Sequence, residues 1–252
     1  MLIEKSKFIS NTSITKNTYL IKVFSPSIAK TAKPGQFCNI KVSENSFPLL
    51  RRPFSICDVE GDYLYFMFDV HGEGTRLLRD KNEGEELDII GPLGIGFDLI
   101  GDYDTAIFIA GGLGSAPFPF LSKNIPAMIE IHSFIGGRSK ENVIEYKMKN
   151  VSAATDDGSY GFQGNVVELF INKLTAYNTK KIRVFACGPN PMLKALQNVC
   201  NEKNINCQLS VETVMACGFG ICQGCPIEKY NGDGYFLVCK DGPVFNSLAV
   251  KI

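Results

Sequence analysis

Short alternating runs of apolar and polar residues occupy the first part of the chain. β-Branched and aromatic residues recur there at every second position, a period typical of half-buried strands. The runs cover residues 18–24, 37–42, 53–57, 63–70 and 86–90. Turn signals such as Pro34-Gly35 and Gly91-Pro92 separate or end them. The pattern predicts a small antiparallel β-barrel or sandwich over residues 1–98.

From about residue 103 the pattern changes to fully apolar runs that alternate with longer amphipathic stretches. Candidate parallel strands cover residues 105–110, 127–135 and 181–186, and residues 190–203 have helical spacing. Strand, glycine turn, helix and strand in succession are typical of a doubly wound α/β fold. We therefore expect an α/β domain over residues 99–207 and a small glycine- and cysteine-rich domain over residues 208–252.

Charge and hydrophobicity argue against some classes of binding partner. The 252-residue chain carries 26 basic and 26 acidic side chains, so its formal net charge is zero. This balance argues against nucleic acid or an anionic membrane surface, because both attract basic proteins. The amino terminus lacks the apolar core of a secretory signal, and no apolar run approaches the roughly 20 residues of a membrane helix. We expect a cytoplasmic protein that binds small molecules or another protein.

Nine cysteines divide into two groups. The scattered group comprises Cys38, Cys57, Cys187, Cys200 and Cys207, which we expect to be packed thiols apart from Cys187. The second group comprises Cys217, Cys222, Cys225 and Cys239. Its spacing, a gap of four residues, a gap of two and a distant fourth cysteine, is that of plant-type 2Fe-2S clusters. A structural zinc site usually has two short pairs, and the tail has one, so zinc is the weaker alternative.

The segment Arg52-Pro53-Phe54-Ser55 places a guanidinium, an aromatic ring and a hydroxyl on a predicted strand. A guanidinium fork suits a diphosphate, and an aromatic face beside it can cover a ring system. A glycine turn, His71-Gly72-Glu73-Gly74-Thr75, follows, and Thr75 is positioned to start a helix whose free N–H groups favour a phosphate. A solvated arginine and an ordinary capped turn are the plain alternatives.

Gly111-Gly112-Leu113-Gly114 follows an apolar strand, the context in which a glycine-rich turn binds nucleotides. The motif departs from the dinucleotide fingerprint because Pro117 replaces the third glycine. It also lacks an Asp or Glu near the end of the next strand, where Gly136-Gly137-Arg138 stands. Cys187-Gly188-Pro189 ends another strand at the same sheet edge, where ligands of such sheets bind. We expect a nucleotide at this edge, with simple loop geometry as the alternative.

The order of these motifs resembles that of the ferredoxin reductase superfamily over nearly the whole of residues 1–205. The motifs that carry the resemblance are Pro34-Gly35-Gln36-Phe37, Arg52-Pro53-Phe54-Ser55, Gly74-Thr75, Gly91-Pro92-Leu93-Gly94, Gly111-Gly112-Leu113-Gly114 and Cys187-Gly188-Pro189. With the cysteine-rich tail added, the whole chain is similar to the electron transfer subunits of type 1B dihydroorotate dehydrogenases.

The resemblance implies an α+β multidomain protein made of an antiparallel β-barrel FAD domain, a doubly wound α/β NAD domain and a small C-terminal iron-sulfur lobe. The implied FAD site consists of Arg52, Pro53, Phe54, Ser55, Met67, Phe68, Asp69, Gly74 and Thr75. The implied NAD site consists of Gly112, Gly114, Cys187, Gly188 and Pro189, with Cys187 near the contact of nicotinamide and flavin. The implied 2Fe-2S ligands are Cys217, Cys222, Cys225 and Cys239.

The resemblance also implies a division of labour in pyrimidine biosynthesis. A separate catalytic, FMN-containing dihydroorotate dehydrogenase subunit oxidises dihydroorotate to orotate. The present chain relays electrons through the 2Fe-2S cluster and FAD to NAD⁺, in a heterotetramer of two plus two chains. No residue of this chain is a certain catalytic acid or base.

Two other hypotheses remain open. The chain is alternatively a subunit of another flavin and iron-sulfur NAD(P)H oxidoreductase, of the sulfide dehydrogenase or transhydrogenase type. Those relatives often have aspartate at the first cluster position, where this chain has Cys217. The other alternative is a zinc-stabilised nucleotide-binding protein without catalysis, which metal analysis distinguishes. Arg138 also leaves NADP open, because an arginine there accommodates a 2′-phosphate.

Overall fold

The computed structural model describes residues 1–43, 45 and 47–252. A closed antiparallel barrel is followed by a seven-stranded sheet with helices and by a small two-stranded sheet in the tail. The α+β multidomain architecture expected from the sequence is confirmed.

The barrel has the strand order β1-β2-β5-β4-β3-β6. Its elements are β1 (Leu2–Ser13), β2 (Thr18–Phe24), α1 (Pro26–Ala29), β3 (Phe37–Lys41), β4 (Arg52–Glu60), β5 (Tyr63–Asp69), α2 (Glu73–Arg79) and β6 (Glu86–Leu93). The sequence pattern missed β1 because that strand is mostly polar, and only Ser6 and Phe8 of it are buried.

The second unit is a sheet in the order β10-β9-β8-β7-β11-β12-β15. Its strands are β7 (Thr105–Gly111), β8 (Glu130–Gly137), β9 (Val151–Thr155), β10 (Phe162–Gln163), β11 (Ile182–Cys187) and β12 (Asn206–Ser210), all parallel, together with β15 from the tail. The strand predicted at residues 127–135 is shifted, because a turn closed by Ile129 N–H and the carbonyl of Pro126 precedes β8.

The sheet is covered by α3 (Phe118–Asn124), α4 (Val166–Lys173) and α5 (Asn190–Glu202). The helix predicted at residues 190–203 is α5. Within the part of the chain that the structure describes, no helix is long and apolar enough to cross a membrane.

The tail contributes to two sheets. Its elements are β13 (Pro226–Glu228), β14 (Tyr235–Leu237), α6 (Val238–Asp241) and β15 (Val244–Asn246). Strands β13 and β14 pair with each other, whereas β15 pairs antiparallel with β12 at the edge of the large sheet. The domain boundary predicted between residues 207 and 208 therefore falls inside β12, and the division into three domains stays a prediction.

Charged side chains join the barrel to the α/β unit, and we call this contact the ionic joint. Asp58 on β4 has a fully buried side chain, with Lys123 Nζ at 2.7 Å and Lys147 Nζ at 2.8 Å from its carboxylate oxygens. Glu60 Oε1 lies 2.8 Å from the same Lys147 Nζ. Although burial opposes it, the hydrogen bonds to Asp58 and Glu60 raise the pKa of Lys147.

Apolar side chains join the barrel to the tail, and we call this contact the apolar joint. On the barrel side it consists of Phe37, Ile90 and Leu93, which belong to one buried cluster with the tail residues Val211, Cys225, Val238 and Cys239. The neighbouring β3 residues Cys38 and Ile40 belong instead to the core inside the barrel. The outer face of β3 therefore packs against the cysteine-bearing tail.

Candidate functional site

A cavity of about 250 Å³ opens where the barrel, the large sheet and the tail meet. The residues from the implied FAD and NAD sites that line it are Pro53, Phe54, Ser55, Met67, Phe68, Asp69 and Cys187. Phe54 and Phe68 have ring centroids 5.6 Å apart and form one aromatic wall. Such a wall suits a flat ring system, because small-molecule sites are mostly apolar with a few polar groups.

Arg52 and the turn at Gly74 lie together beside the cavity. A Cβ on Gly74 would lie 2.9 Å from Arg52 Nε, so the guanidinium packs directly over this glycine. The helix α2 begins at Glu73, and Thr75 is its third residue, so the expectation that Thr75 starts the helix is wrong. The Thr75 hydroxyl instead accepts hydrogen bonds from the backbone N–H groups of His71 at 3.0 Å and Gly72 at 3.2 Å.

The glycine turn after β7 packs against the end of β11. A Cβ on Gly114 would collide with the carbonyl group of Cys187, and one on Gly111 would lie 2.7 Å from Pro189. Only glycine permits this close approach of two backbones. The structure thus brings the two predicted nucleotide motifs together at the carboxyl edge of the sheet, where doubly wound folds bind ligands.

A second cavity of about 200 Å³ adjoins the first and shares Asp69, His71 and Leu113 with it. Gly112 lines the second cavity, and Gly112 has almost open space beside its Cα. A bound nucleotide can therefore approach the backbone here and extend toward Cys187.

Glu212 also lines the cavity, and the sequence did not identify it as a site residue. Its side chain is exposed to the cavity, and desolvation by the surrounding residues raises its pKa. Burial also raises the pKa of Cys187, and the nearby carboxylate of Glu212 adds to that rise. Motif spacing gives no signal for this pair, because Glu212 meets Cys187 only through the pairing of β12 with β11.

Two acidic residues follow the neighbouring strand β9, beside the loop at Arg138. Asp156 and Asp157 follow β9, and their N–H groups donate to the carbonyls of Gly137 at 3.1 Å and Arg138 at 3.2 Å. The side-chain hydrogen bond from Ser159 lowers the pKa of Asp157. Two carboxylates therefore stand beside the loop in which the sequence showed Arg138 and no acid.

The four tail cysteines lie in two pairs. Cys225 and Cys239 have sulfurs 3.2 Å apart, and the N–H of Cys222 lies 3.4 Å from Cys217 Sγ. Gly220, between Cys217 and Cys222, packs against Lys240 beside Cys239, so the two pairs are neighbours. Cys225 and Cys239 are buried, whereas Cys222 is exposed.

Backbone N–H groups point at these sulfurs. Gly224 N–H lies 3.4 Å from Cys222 Sγ, and Cys239 N–H lies 3.5 Å from Cys225 Sγ. Burial opposes it, but backbone N–H groups from Cys222 and Phe219 lower the pKa of Cys217 to about 6. Donors of this kind stabilise the negative charge of thiolates bound to iron.

The pairing of the tail cysteines fits a cluster of two irons. A zinc site needs four donors around one ion, whereas a 2Fe-2S cluster takes two thiolates at each of two irons. Two neighbouring cysteine pairs meet the second requirement.

Comparison with known proteins extends these observations to the whole chain. The family model for the iron-sulfur cluster binding domain of dihydroorotate dehydrogenase B matches residues 212–251. The protein named dihydroorotate dehydrogenase B (NAD(+)), electron transfer subunit, from Fusobacterium nucleatum is 36% identical, over 100% of both chains. The protein of the same name from Caldanaerobacter subterraneus is 35% identical, over 96% of this chain and 95% of that one.

Solved structures share the fold. The NADH-dependent reduced ferredoxin-NADP oxidoreductase, studied for flavin-based electron bifurcation, matches with a TM-score of 0.85 at 24% identity, over 98% of this chain and 90% of that one. A ferredoxin NADP⁺ reductase from Neisseria gonorrhoeae, solved with FAD and NADP, matches with a TM-score of 0.68 at 17% identity, over 79% and 91%.

Proposed function

The chain belongs to the family of the electron transfer subunits of dihydroorotate dehydrogenase B, and from this premise we propose that it relays electrons from a catalytic flavin subunit to NAD⁺. The partner subunit oxidises dihydroorotate to orotate, and this chain carries the electrons through a 2Fe-2S cluster and FAD. The single observation that carries the proposal is the shared cavity, because its tail wall, Ser210 to Met215, leads directly into the first cluster cysteine, Cys217.

The barrel side of the cavity suits FAD. The Phe54 and Phe68 wall accepts the flat flavin ring, with Pro53, Ser55, Met67 and Asp69 around it. Arg52, seated over Gly74, supplies the forked donor that a diphosphate prefers. Bound FAD would exchange two electrons with nicotinamide and single electrons with the cluster, so this chain's task is to place and tune the two groups.

The sheet edge suits the nicotinamide dinucleotide. Gly112 and Gly114 allow the backbone to approach the ligand, and Gly188-Pro189 closes the turn behind Cys187. Asp156 and Asp157 favour the free ribose hydroxyls of NAD, because two carboxylates repel the 2′-phosphate of NADP. We therefore propose NAD rather than NADP, in spite of Arg138.

The exposed end of the cluster loop is the docking face that we propose for the catalytic, FMN-containing subunit. Ile221 is 77% exposed and stands next to the exposed ligand Cys222, so a partner that covers them reaches the cluster. A heterotetramer of two plus two chains is the assembly that we propose. A cytoplasmic location fits the free state of all nine cysteines, because a reducing compartment keeps thiols available for iron.

Affinity purification from the native cell tests this function. We expect a flavin-containing dehydrogenase to be recovered with the chain, and the complex to reduce NAD⁺ with dihydroorotate. Recovery of the single chain alone, active with ferredoxin, would favour the other class of flavin and iron-sulfur oxidoreductase. A colourless protein that contains zinc and no acid-labile sulfide would overturn both.

A further inference from the structure

The strand β3 touches the flavin cavity and the cluster loop with two neighbouring side chains of its outer face. Phe37 lines the cavity. Asn39, two residues later, contacts the loop that carries the cluster cysteines. Side chains two positions apart on a strand lie on the same face about 7 Å apart. One short piece of the barrel wall therefore separates the two cofactor sites.

Asn39 holds the cluster loop by a directed contact. Its Nδ2 donates a hydrogen bond of 2.9 Å to the carbonyl oxygen of Cys217. Gly218 has φ +82°, and a Cβ there would lie 2.5 Å from Asn39 Nδ2, so the amide and the loop backbone are in close contact. The amide orientation is fixed, because a flipped amide would bring Oδ1 against the carbonyl oxygen of Cys217.

The buried side-chain amide of Asn39 lowers the stability of the fold through its oxygen. Asn39 is fully buried, and its Oδ1 has no hydrogen-bond partner among the described residues. An unsatisfied buried acceptor opposes folding. Ile90, which pairs with Asn39 on the neighbouring strand β6, and the nearby Leu93 are both apolar. A leucine at position 39 would pack there without the unsatisfied oxygen, so what the amide adds is its directed contact with the cluster loop.

We propose that Asn39 is a positioning residue that holds the Cys217 end of the cluster loop at a fixed distance from the flavin cavity. The proposal rests on the proposed function, because it assumes that a 2Fe-2S cluster and FAD occupy their sites. Electron transfer slows steeply as the distance between two cofactors grows, and hydrogen bonding around a cluster tunes its potential. Loosening this contact should therefore slow the passage of electrons without affecting the reaction of NADH with the flavin.

Two variants of nearly the same shape test the contact. Asn39→Leu removes both polar groups, and Asn39→Asp keeps the shape but replaces the donor with an acceptor. The matched control is Cys38→Ala, which removes a buried side chain from the same strand but from its inner face. Each holoprotein is mixed rapidly with NADH, and flavin and cluster absorbance are followed together. The cluster midpoint potential is measured separately, by titration monitored with electron paramagnetic resonance.

In both Asn39 variants we expect cluster reduction to slow by about tenfold, the lower figure for loss of an outer partner at a metal site. Flavin reduction should stay within about twofold of the original rate, since no cavity residue is changed. The cluster potential should shift in both variants and stay unchanged in Cys38→Ala. Asn39→Leu should unfold at nearly the same denaturant concentration, because it removes the unsatisfied oxygen but also leaves the Cys217 carbonyl without its donor.

Wild-type potentials and cluster reduction rates in both Asn39 variants would overturn the proposal. Equal loss of iron in Asn39→Leu and Cys38→Ala would also overturn it, because the effect would then be general destabilisation of β3. Loss of iron in the Asn39 variants alone supports it, since the loop is then no longer held. An unmodified chain without flavin or iron would instead overturn the proposed function, so the two failures are distinguishable.

Discussion

The barrel meets its two neighbours in different ways. At the ionic joint, buried Asp58 is held by Lys123 and Lys147 from the α/β unit. At the apolar joint, Phe37 and Leu93 pack into a cluster shared with the cysteine-bearing tail. The strength of an ion pair depends on salt and pH. The strength of apolar packing depends little on either, and apolar packing does not require a particular orientation of the groups.

This difference fits the ligands that we propose for the two neighbours. A dinucleotide enters and leaves, and the unit proposed to bind it is joined to the barrel by two partly exposed lysine side chains that can rearrange. A resident cluster needs a constant distance from the flavin, which the apolar joint supplies once the Asn39 hydrogen bond sets the loop. We infer that the NAD side of the protein is adjustable and the cluster side is rigid.

Removing a cluster ligand should have the largest effect. Cys222→Ser takes away an exposed thiolate, so it costs little packing. We expect the iron content to collapse and dihydroorotate-dependent NAD⁺ reduction by the complex to fall by at least about 100-fold, the upper figure for loss of an outer partner at a metal site. NADH should still reduce the flavin, because neither joint is touched. Cys200→Ala, which changes a buried cysteine of α5 outside the ligand set, is the control, and a retained cluster in Cys222→Ser would contradict the ligand assignment.

Truncating the apolar joint should give the next largest effect. Leu93 is 4% exposed, and Leu93→Ala should lower the free energy of unfolding by about 2–5 kcal/mol at low and at high salt alike. Leu87→Ala on the same strand is the control, because Leu87 faces the barrel core. Denaturant titration measures both losses. Only Leu93→Ala should also change the paramagnetic resonance of the cluster. Equal cluster signals in the two variants would contradict the link between the apolar joint and the cluster.

The ionic joint should be weaker and sensitive to salt. Asp58→Asn leaves two lysines facing a neutral amide, and we expect a loss of about 2–3 kcal/mol. This is less than the usual 3–5 kcal/mol for a broken buried pair, because both lysines are partly exposed. Flavin reduction by NADH should slow while the cluster potential stays constant. A loss that is independent of salt would argue against an ionic joint.

The smallest effect concerns pH. Hydrogen bonds from Lys147 and Tyr65 lower the pKa of Glu60 from 4.5 to about 2. A depressed pKa means that Glu60 stabilises the fold above pH 4.5 and loses this effect as the pH falls toward 2. The difference in melting temperature between the unmodified chain and Glu60→Gln should therefore shrink over that range. A difference that stays constant would show that the Glu60 charge plays no part in the joint.

The local sequence pattern was sufficient to predict features that depend on residues close together in the chain. Period-two alternation predicted β2 and β5, which the structure contains. Glycine and cysteine spacing predicted the nucleotide turns and the four cluster ligands, and these site residues stay predictions. Strands β9 and β12 were missed, because the first is short and the second follows a helix without a strong turn signal.

The remaining features depend on tertiary contacts. Asn39 and Cys217 are 178 residues apart, and Lys147 is 89 residues from Asp58. No periodicity or spacing links such residues, so neither joint was predictable from the sequence. The same holds for Glu212, since only the pairing of β12 with β11 brings it beside Cys187.

In the function that we propose, one chain connects nicotinamide, flavin and a 2Fe-2S cluster. This connection can be tested by anaerobic titration of the purified holoprotein with NADH, followed by visible absorption and electron paramagnetic resonance. We expect flavin absorption to bleach and the resonance of a reduced 2Fe-2S cluster to appear. A protein that carries zinc, or a cluster that stays oxidised while the flavin is fully reduced and NADH is in excess, would contradict it.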